Sequence, residues 1–296
     1  MRAAALIAFV ATACHSPSDD SAERRRGGTV SDSGSRQPDG AMIDALHEEL
    51  TMFFPMDESD DGWRVDRVSG IDLVPWQRKG FGIYSVDARG TTAVKAAVGD
   101  GQHIVGSKGY HFATGSAEPM KHDAGSFTWA GWVSLDPVSS AAPYTDPQTL
   151  LAKWNGITDS GAQENHREYR VWHDEAVSQW RFEVSADGLE GVLSSKSVAH
   201  PTHIERDRLY FVEAWHDAEQ ETVNLRVSTR EERGDSVSEP WDKGVFSGVA
   251  DLDVGAQNTC TDAHLQGVVD ALGYWSRVLN DEESLALWND GEGLEL

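Results

Sequence analysis

Two Trp-His-Asp triplets, Trp172-His173-Asp174 and Trp215-His216-Asp217, are where residue type and spacing first invite chemistry. A histidine beside an aspartate has the parts of a proton relay or of a metal-ligand pair. Their setting points elsewhere. Eight residues after each tryptophan a second apolar-polar alternation begins, at Trp180 in WRFEVS and at Val223 in VNLRVS. Strand, acidic turn, strand is a β-hairpin, with Trp180, Phe182 and Val184, or Val223, Leu225 and Val227, on one face. Neighbouring strand residues point to opposite faces, so His and Asp converge only where the strand has ended. The pattern predicts two structural hairpins, with a ligand or metal role as the alternative. G-x-S-x-G, H-E-x-x-H and P-loop signatures are absent, as are Cys and His clusters at zinc spacing. Cys260, in QNTCTDAH, reads as a semi-buried or loop thiol, and His264 as incidental to it rather than as its base.

Composition narrows the partners. A net charge of −24 over 296 residues argues against nucleic acid and against anionic lipid at the domain surface, since both need clustered Lys and Arg. The acidity serves solubility, or supplies the oxygen ligands of a hard cation such as calcium. The 28 glycines and 11 tryptophans suit many turns and broad aromatic-lined sheets. At the N-terminus, Arg2, the apolar run Ala3 to Val10 and the small residues before Cys14 have the parts of an export signal. Ala11-Thr12-Ala13-Cys14 resembles a bacterial lipoprotein signal, which implies lipidation of Cys14. Ser16 to Gly40 has almost no apolar residue and reads as a solvated tether, with Arg24-Arg25-Arg26 a linker charge run. The expected organisation is a signal over 1–14, a polar tether over 15–42 and one domain over 43–296. That placement is an exported outer-membrane or cell-surface lipoprotein, with a secreted or periplasmic protein as the alternative, touching membrane only through its lipid. The domain contains one cysteine and so no internal disulfide, which a large core tolerates.

The elements that must position any site are strands. In the closing segment GVVDALGYWSRVLNDEESLALWNDGEGLEL, Val268, Asp270, Leu272 and Tyr274 alternate with Val269, Ala271, Gly273 and Trp275. Asn280 with Glu283 three residues on predicts a capping box, Leu285 and Trp288 are expected on one helical face, and Gly291 closes the turn. In FTWAGWVSLD, Phe127, Trp129, Val133 and Leu135 should face the core and Thr128, Ala130, Trp132 and Ser134 the other side. This closing strand and helix, with MFFPMDESDDGWRVDRVSGIDLVP, FTWAGWVSLD, TLLAKWN, REYRVWHD, WRFEVSADG and LYFVEAWHDAEQETVNLRVS in order, resembles the laminin-G-like branch of the concanavalin-A-like lectin and glucanase superfamily over roughly residues 44 to 296. The resemblance implies an all-β fold, a two-sheet antiparallel jelly-roll β-sandwich with a short C-terminal helix and its first and last strands side by side. Ile83 to Val105 carries little pattern.

That branch is mostly non-catalytic. Glucanases of this fold carry E-x-D-x-x-E on one strand, which brings two carboxylates to one face; no such run occurs here, and Glu183 with Asp187, Glu213 with Asp217, and Asp251 with Asp253 are all wrongly spaced. The resemblance further implies a structural calcium site where the first and last strands meet, at Asp57, Glu58, Asp66 and Asp270; the alternative is that Asp66 and Asp270 only accept backbone amides in turns. Trp63, Trp76 and Trp241 lie in polar, turn-rich surroundings, where a ring stacks on a sugar or packs over a sandwich edge. The expected function is a non-catalytic, surface-tethered module that binds an extracellular carbohydrate or cell-surface polymer. A protein-interaction or structural lipoprotein is the alternative, and a polysaccharide hydrolase or lyase a third reading.

Overall fold

The computed structural model describes residues 38–58, 63–79, 82–85, 91–95, 100–105, 110–113, 120, 122, 125–137, 147–157, 163–257, 263–294 and 296. Cys14, Cys260 and the expected signal and tether lie outside them, apart from the last residues before the domain. In chain order the strands are β1 (Leu50–Phe54), β2 (Val74–Lys79), β3 (Gly82–Ser85), β4 (Thr91–Lys95), β5 (Asp100–Val105), β6 (Tyr110–Ala113), β7 (Phe127–Leu135), β8 (Gln148–Ile157), β9 (Gln163–Asp174), β10 (Gln179–Ser185), β11 (Ser195–Ala199), β12 (Leu209–Asp217), β13 (Thr222–Thr229), β14 (Ser236–Pro240), β15 (Asp253–Val254) and β16 (Gln266–Trp275). Helix α1 (Gly40–His47) precedes them and α2 (Asp281–Trp288) follows.

The strands form two antiparallel sheets. The first runs β14-β13-β12-β7-β16-β5-β4, and β1 also pairs with β16. The second runs β11-β10-β9-β8-β15-β6-β2-β3. The first and last strands therefore adjoin, with Phe54 opposite Leu272 and Met52 opposite Tyr274. One edge of β16 is shared: Gln266 to Val269 pair with β5 and Leu272 to Trp275 with β1. Between them β16 bulges against β7, Ala271 taking φ +47°. A Cβ at Gly131 would stand 3.2 Å from Leu272 Cα, so the strand beneath the bulge carries glycine.

Burial follows the alternation. Phe127, Trp129, Val133 and Leu135 lie in the core between the sheets with Tyr169, Trp180, Phe182, Val223, Leu225 and Tyr274, while Ala130 and Trp132 face outward. Both Trp-His-Asp triplets end hairpin strands, Asp174 opposite Gln179 and Asp217 opposite Thr222. His173 lies edge-on to Trp180 at 5.5 Å and His216 Nδ1 pairs with the Gly125 carbonyl oxygen at 3.0 Å, so each histidine is a buried packing residue.

Helix α2 forms the expected capping box: Asn280 accepts from the Glu282 and Glu283 amides, and Glu283 accepts from the Asn280 amide. Arg277 forks onto Glu283 at 2.7 and 2.9 Å and donates to Ala45 O and Glu48 O, tying α2 to α1. One expectation fails here. Leu285 is exposed while Trp288 is buried, because hydrogen bonds from Arg226 and Arg233 to Ser284 Oγ turn the Ser284, Leu287, Trp288 face to the sheet. Gly291, at φ +83°, closes the element; a Cβ there would meet Arg230 O at 1.8 Å.

Candidate functional site

On β9 and β10 the residues that alternate with the core face are Arg170, Trp172, Arg181 and Glu183, and the pairing sets Arg170 opposite Glu183 and Trp172 opposite Arg181. They build a layered face on the outside of the second sheet. The Arg170 guanidinium lies 4.5 Å from the Trp154 ring centroid and 5.3 Å from that of Trp172, and Arg181 lies 5.6 Å from the Trp172 centroid. Arg170 is fixed by a fork onto Glu183, with Nε and Nη2 at 2.8 and 2.5 Å from Oε2, by Glu190 at 3.1 Å, and by Gln257 at 2.8 Å. Arg181 Nε donates to Asp174 Oδ2 at 2.9 Å, and Ser195 Oγ donates to Glu183 Oε1 at 2.9 Å.

Chemically this is a recognition surface. Three acidic side chains hold two planar cations against two indoles, so ring faces and N–H edges are fixed before any ligand arrives. The indole N–H groups of Trp154 and Trp172 and the Ser197 hydroxyl make no hydrogen bond with described residues. Trp154 and these donors are buried, with Arg170 over the Trp154 ring, so the part of the set within reach of a ligand is the half-buried Trp172 ring and the Arg181 guanidinium, which suit a ring face and hydroxyl acceptors. Beside the face, the β10–β11 connection exposes Val192 and Leu193, which are 98% and 81% accessible.

The residues predicted from sequence are distributed differently. Trp63 is exposed beside Val65 and Val68. Trp76 sits on β2, opposite His111 of β6, with its side chain outside what is described. Trp241 needs correction: its polar context marked it as exposed, but the ring is buried in the main core, its Nε1 donates to Gly244 O at 2.5 Å, and Lys243 covers it at 5.4 Å. A tight turn satisfies the indole locally, which a polar flanking sequence conceals.

Asp57, Glu58 and Asp66 fall together at one end of β1. Asp66 accepts the amides of Phe53 (2.7 Å), Val68 (3.2 Å), Ser69 (2.5 Å) and Gly70 (3.1 Å), and the Ser69 hydroxyl. Arg64 lies 3.7 Å from Glu58, whose other oxygen accepts the Val65 amide at 2.8 Å, and Arg67 lies 3.7 Å from Asp57. Asp270 is buried where β16 bulges, opposite Trp132. Among the described residues no three His, Cys, Asp or Glu side chains gather as a metal cluster. With the Asp66 carboxylate already accepting five hydrogen bonds and Glu58 and Asp57 each facing a guanidinium, this set does not fit a calcium ion.

No family model matches the chain and none of the curated proteins matches it. Solved structures do. The binding domain of botulinum neurotoxin serotype D/C VPI 5993 superposes with a TM-score of 0.53 at 10% identity, over 82% of this chain and 52% of that one. Domain 4 of AbnA, a GH43 extracellular arabinanase from Geobacillus stearothermophilus in complex with arabinotriose, gives 0.50 at 11% identity, over 80% of this chain and 96% of that one. The Trypanosoma rangeli sialidase in complex with the inhibitor DANA gives 0.49 at 17% identity, and the chain spans only 34% of its length. At these identities the likeness is one of fold: the chain is a two-sheet antiparallel β-sandwich.

Proposed function

We propose that the chain is a non-catalytic carbohydrate-binding module of laminin-G-like type, exported and tethered to a cell surface through Cys14, and that its ligand lies across the outer face of the second sheet. The observation that carries this reading is the Trp154, Arg170, Trp172, Arg181 stack, held rigid by Glu183, Glu190 and Asp174 on a face that no described helix covers. Sugar recognition pairs ring stacking with fixed hydrogen-bonding groups, and this face offers both. A β-sandwich of the same fold, domain 4 of AbnA, is known in complex with arabinotriose. On this reading calcium is not required.

The test is a glycan array probed with the full chain, with and without chelator. Retention of a glycan without release of reducing ends or unsaturated products supports the module, and release of either moves the assignment to an enzyme. The second reading, a protein-interaction lipoprotein, is favoured by the exposed Val192 and Leu193. A blank array, with a protein partner whose capture fails on replacing both by Ser, selects it.

A further inference from the structure

Inside the sandwich, away from both outer faces, Lys153 of β8, Glu168 of β9 and His122 meet with side chains 0–1% exposed. A β-bulge brings them there. Lys153 pairs with Tyr169 and Trp154 with Arg167, so Glu168 is the extra residue, re-aimed from its place in the alternation. Lys153 Nζ lies 3.0 Å from Glu168 Oε2, and His122 Nε2 lies 3.4 Å from the same oxygen. Neither oxygen of Glu168 and neither ring nitrogen of His122 makes a hydrogen bond of regular geometry with a described residue. The surroundings are aromatic: Phe127 stacks on His122 at 4.9 Å, Tyr169 lies 5.9 Å from it, and Trp129 and Tyr274 are 4.8 Å apart. Burial, and the nearby charge of Glu168, push the Tyr274 hydroxyl far above its ordinary range.

A charged pair in such a place has lost the hydration of both ions, and with neither Glu168 oxygen in a regular hydrogen bond to a described residue its attraction repays little of that loss, although the Asp251 carboxylate also acts on Lys153. A neutral amide in the same volume removes both charges. Fixed proximity supplies the drive, since well-oriented intramolecular partners reach effective concentrations on the order of 10⁵–10⁸ M. We infer that Lys153 and Glu168 condense into an isopeptide bond that staples β8 to β9. The ammonium passes one proton to the carboxylate, giving amine and acid. The Nζ lone pair attacks Cδ, His122 carries a proton from the nitrogen to the departing hydroxyl, the Cδ–O bond breaks, and one water leaves. No oxidant or co-reactant enters. Oε2, the oxygen beside His122 Nε2, is the one that leaves, and Oε1 stays as the amide oxygen. In a domain whose single cysteine, Cys260, allows no internal disulfide, this is a covalent staple of another kind.

The inference does not depend on the ligand. Peptide mapping and intact mass spectrometry of the purified full chain test it. The expected result is a branched tryptic peptide joining Lys153 to Glu168, no cleavage after Lys153, and a mass deficit of about 18 Da, one water. In Lys153→Arg, which keeps the charge but lacks the nucleophile, the deficit must vanish. Ordinary cleavage after Lys153 with no deficit overturns the inference, as does a deficit that survives in Lys153→Arg or maps to another residue.

Discussion

The two outer faces of the sandwich are both rich in tryptophan, and they are built to opposite ends. On the first sheet Trp132, Phe211 and Trp275 are covered by α1 and α2, with Leu46, Leu287 and Trp288 completing a second apolar cluster. There the chain satisfies its own indoles: Trp275 Nε1 donates to Leu46 O at 2.7 Å and Trp288 Nε1 to Thr229 O at 2.8 Å. On the second sheet Trp154 and Trp172 stack with guanidinium groups, and their N–H groups have no partner among the described residues. A roofed tryptophan contributes buried area to stability. Trp172, stacked by arginine and only half-buried, keeps part of its ring for something else.

Substitution should separate the two faces. Trp132→Ala opens a cavity under the helices and is expected to cost about 3–5 kcal/mol in denaturant unfolding, with carbohydrate binding unchanged in the fraction that stays folded. A small loss would mean that the helical roof contributes little. Asp66→Ala leaves four backbone amides without their acceptor and should cost roughly 1–3 kcal/mol. Millimolar calcium added to the chelated wild type should leave the melting temperature where it was; a rise, lost in Asp270→Ala, would restore the ion to this end of the fold.

Acid should act on the hairpin ends before either face. Burial works to raise the Glu175 pKa, but hydrogen bonds from His173 and Arg206 outweigh it and hold the carboxyl at about 2 instead of 4.5. Its folded pKa is depressed, so the stability it contributes is present above 4.5 and drains away as pH falls toward 2. His216 and His200, lowered from 6.5 chiefly by burial, carry the same sign: stability present above 6.5 declines as pH falls below it. A melting-temperature profile should therefore fall in two steps, and Glu175→Gln should remove much of the lower one. The smallest expected effect on stability is that of Trp172→Ala, about 1 kcal/mol or less at a half-buried position.

Much of the fold was legible in the sequence because its signals are local. The Asn280 and Glu283 capping box and the equal spacing of the two hairpins each need only a short window and appear as read, whereas the single alternation expected through β16 is broken by the bulge at Ala271, which puts Val269 on the core face with Leu272 and Tyr274. Strands β3, β4 and β5 fall where Ile83 to Val105 carries little pattern; their place comes from pairing with β2 and β16, which is not a local property. The site was less legible. Trp172 was read as part of a hairpin, and so it is, but its second role depends on Arg170, Arg181 and Trp154 reaching it across two strand pairings. The signal was available in REYRVWHD and WRFEVS, where arginine and tryptophan alternate with Tyr169, Val171 and Phe182, the core residues. Trp241 misled for the converse reason, since its partner Gly244 is only three residues away and still invisible to composition.

The central claim is that the outer face of the second sheet around Trp172 binds carbohydrate. Its most direct test is a side-by-side glycan array of the full-length wild type and Trp172→Ala, each shown by circular dichroism to be folded. The prediction is a specific glycan bound by the wild type and lost by at least about tenfold in the variant, some 1.4 kcal/mol of binding free energy. Equal binding by the two folded proteins would contradict it and move the ligand to another face.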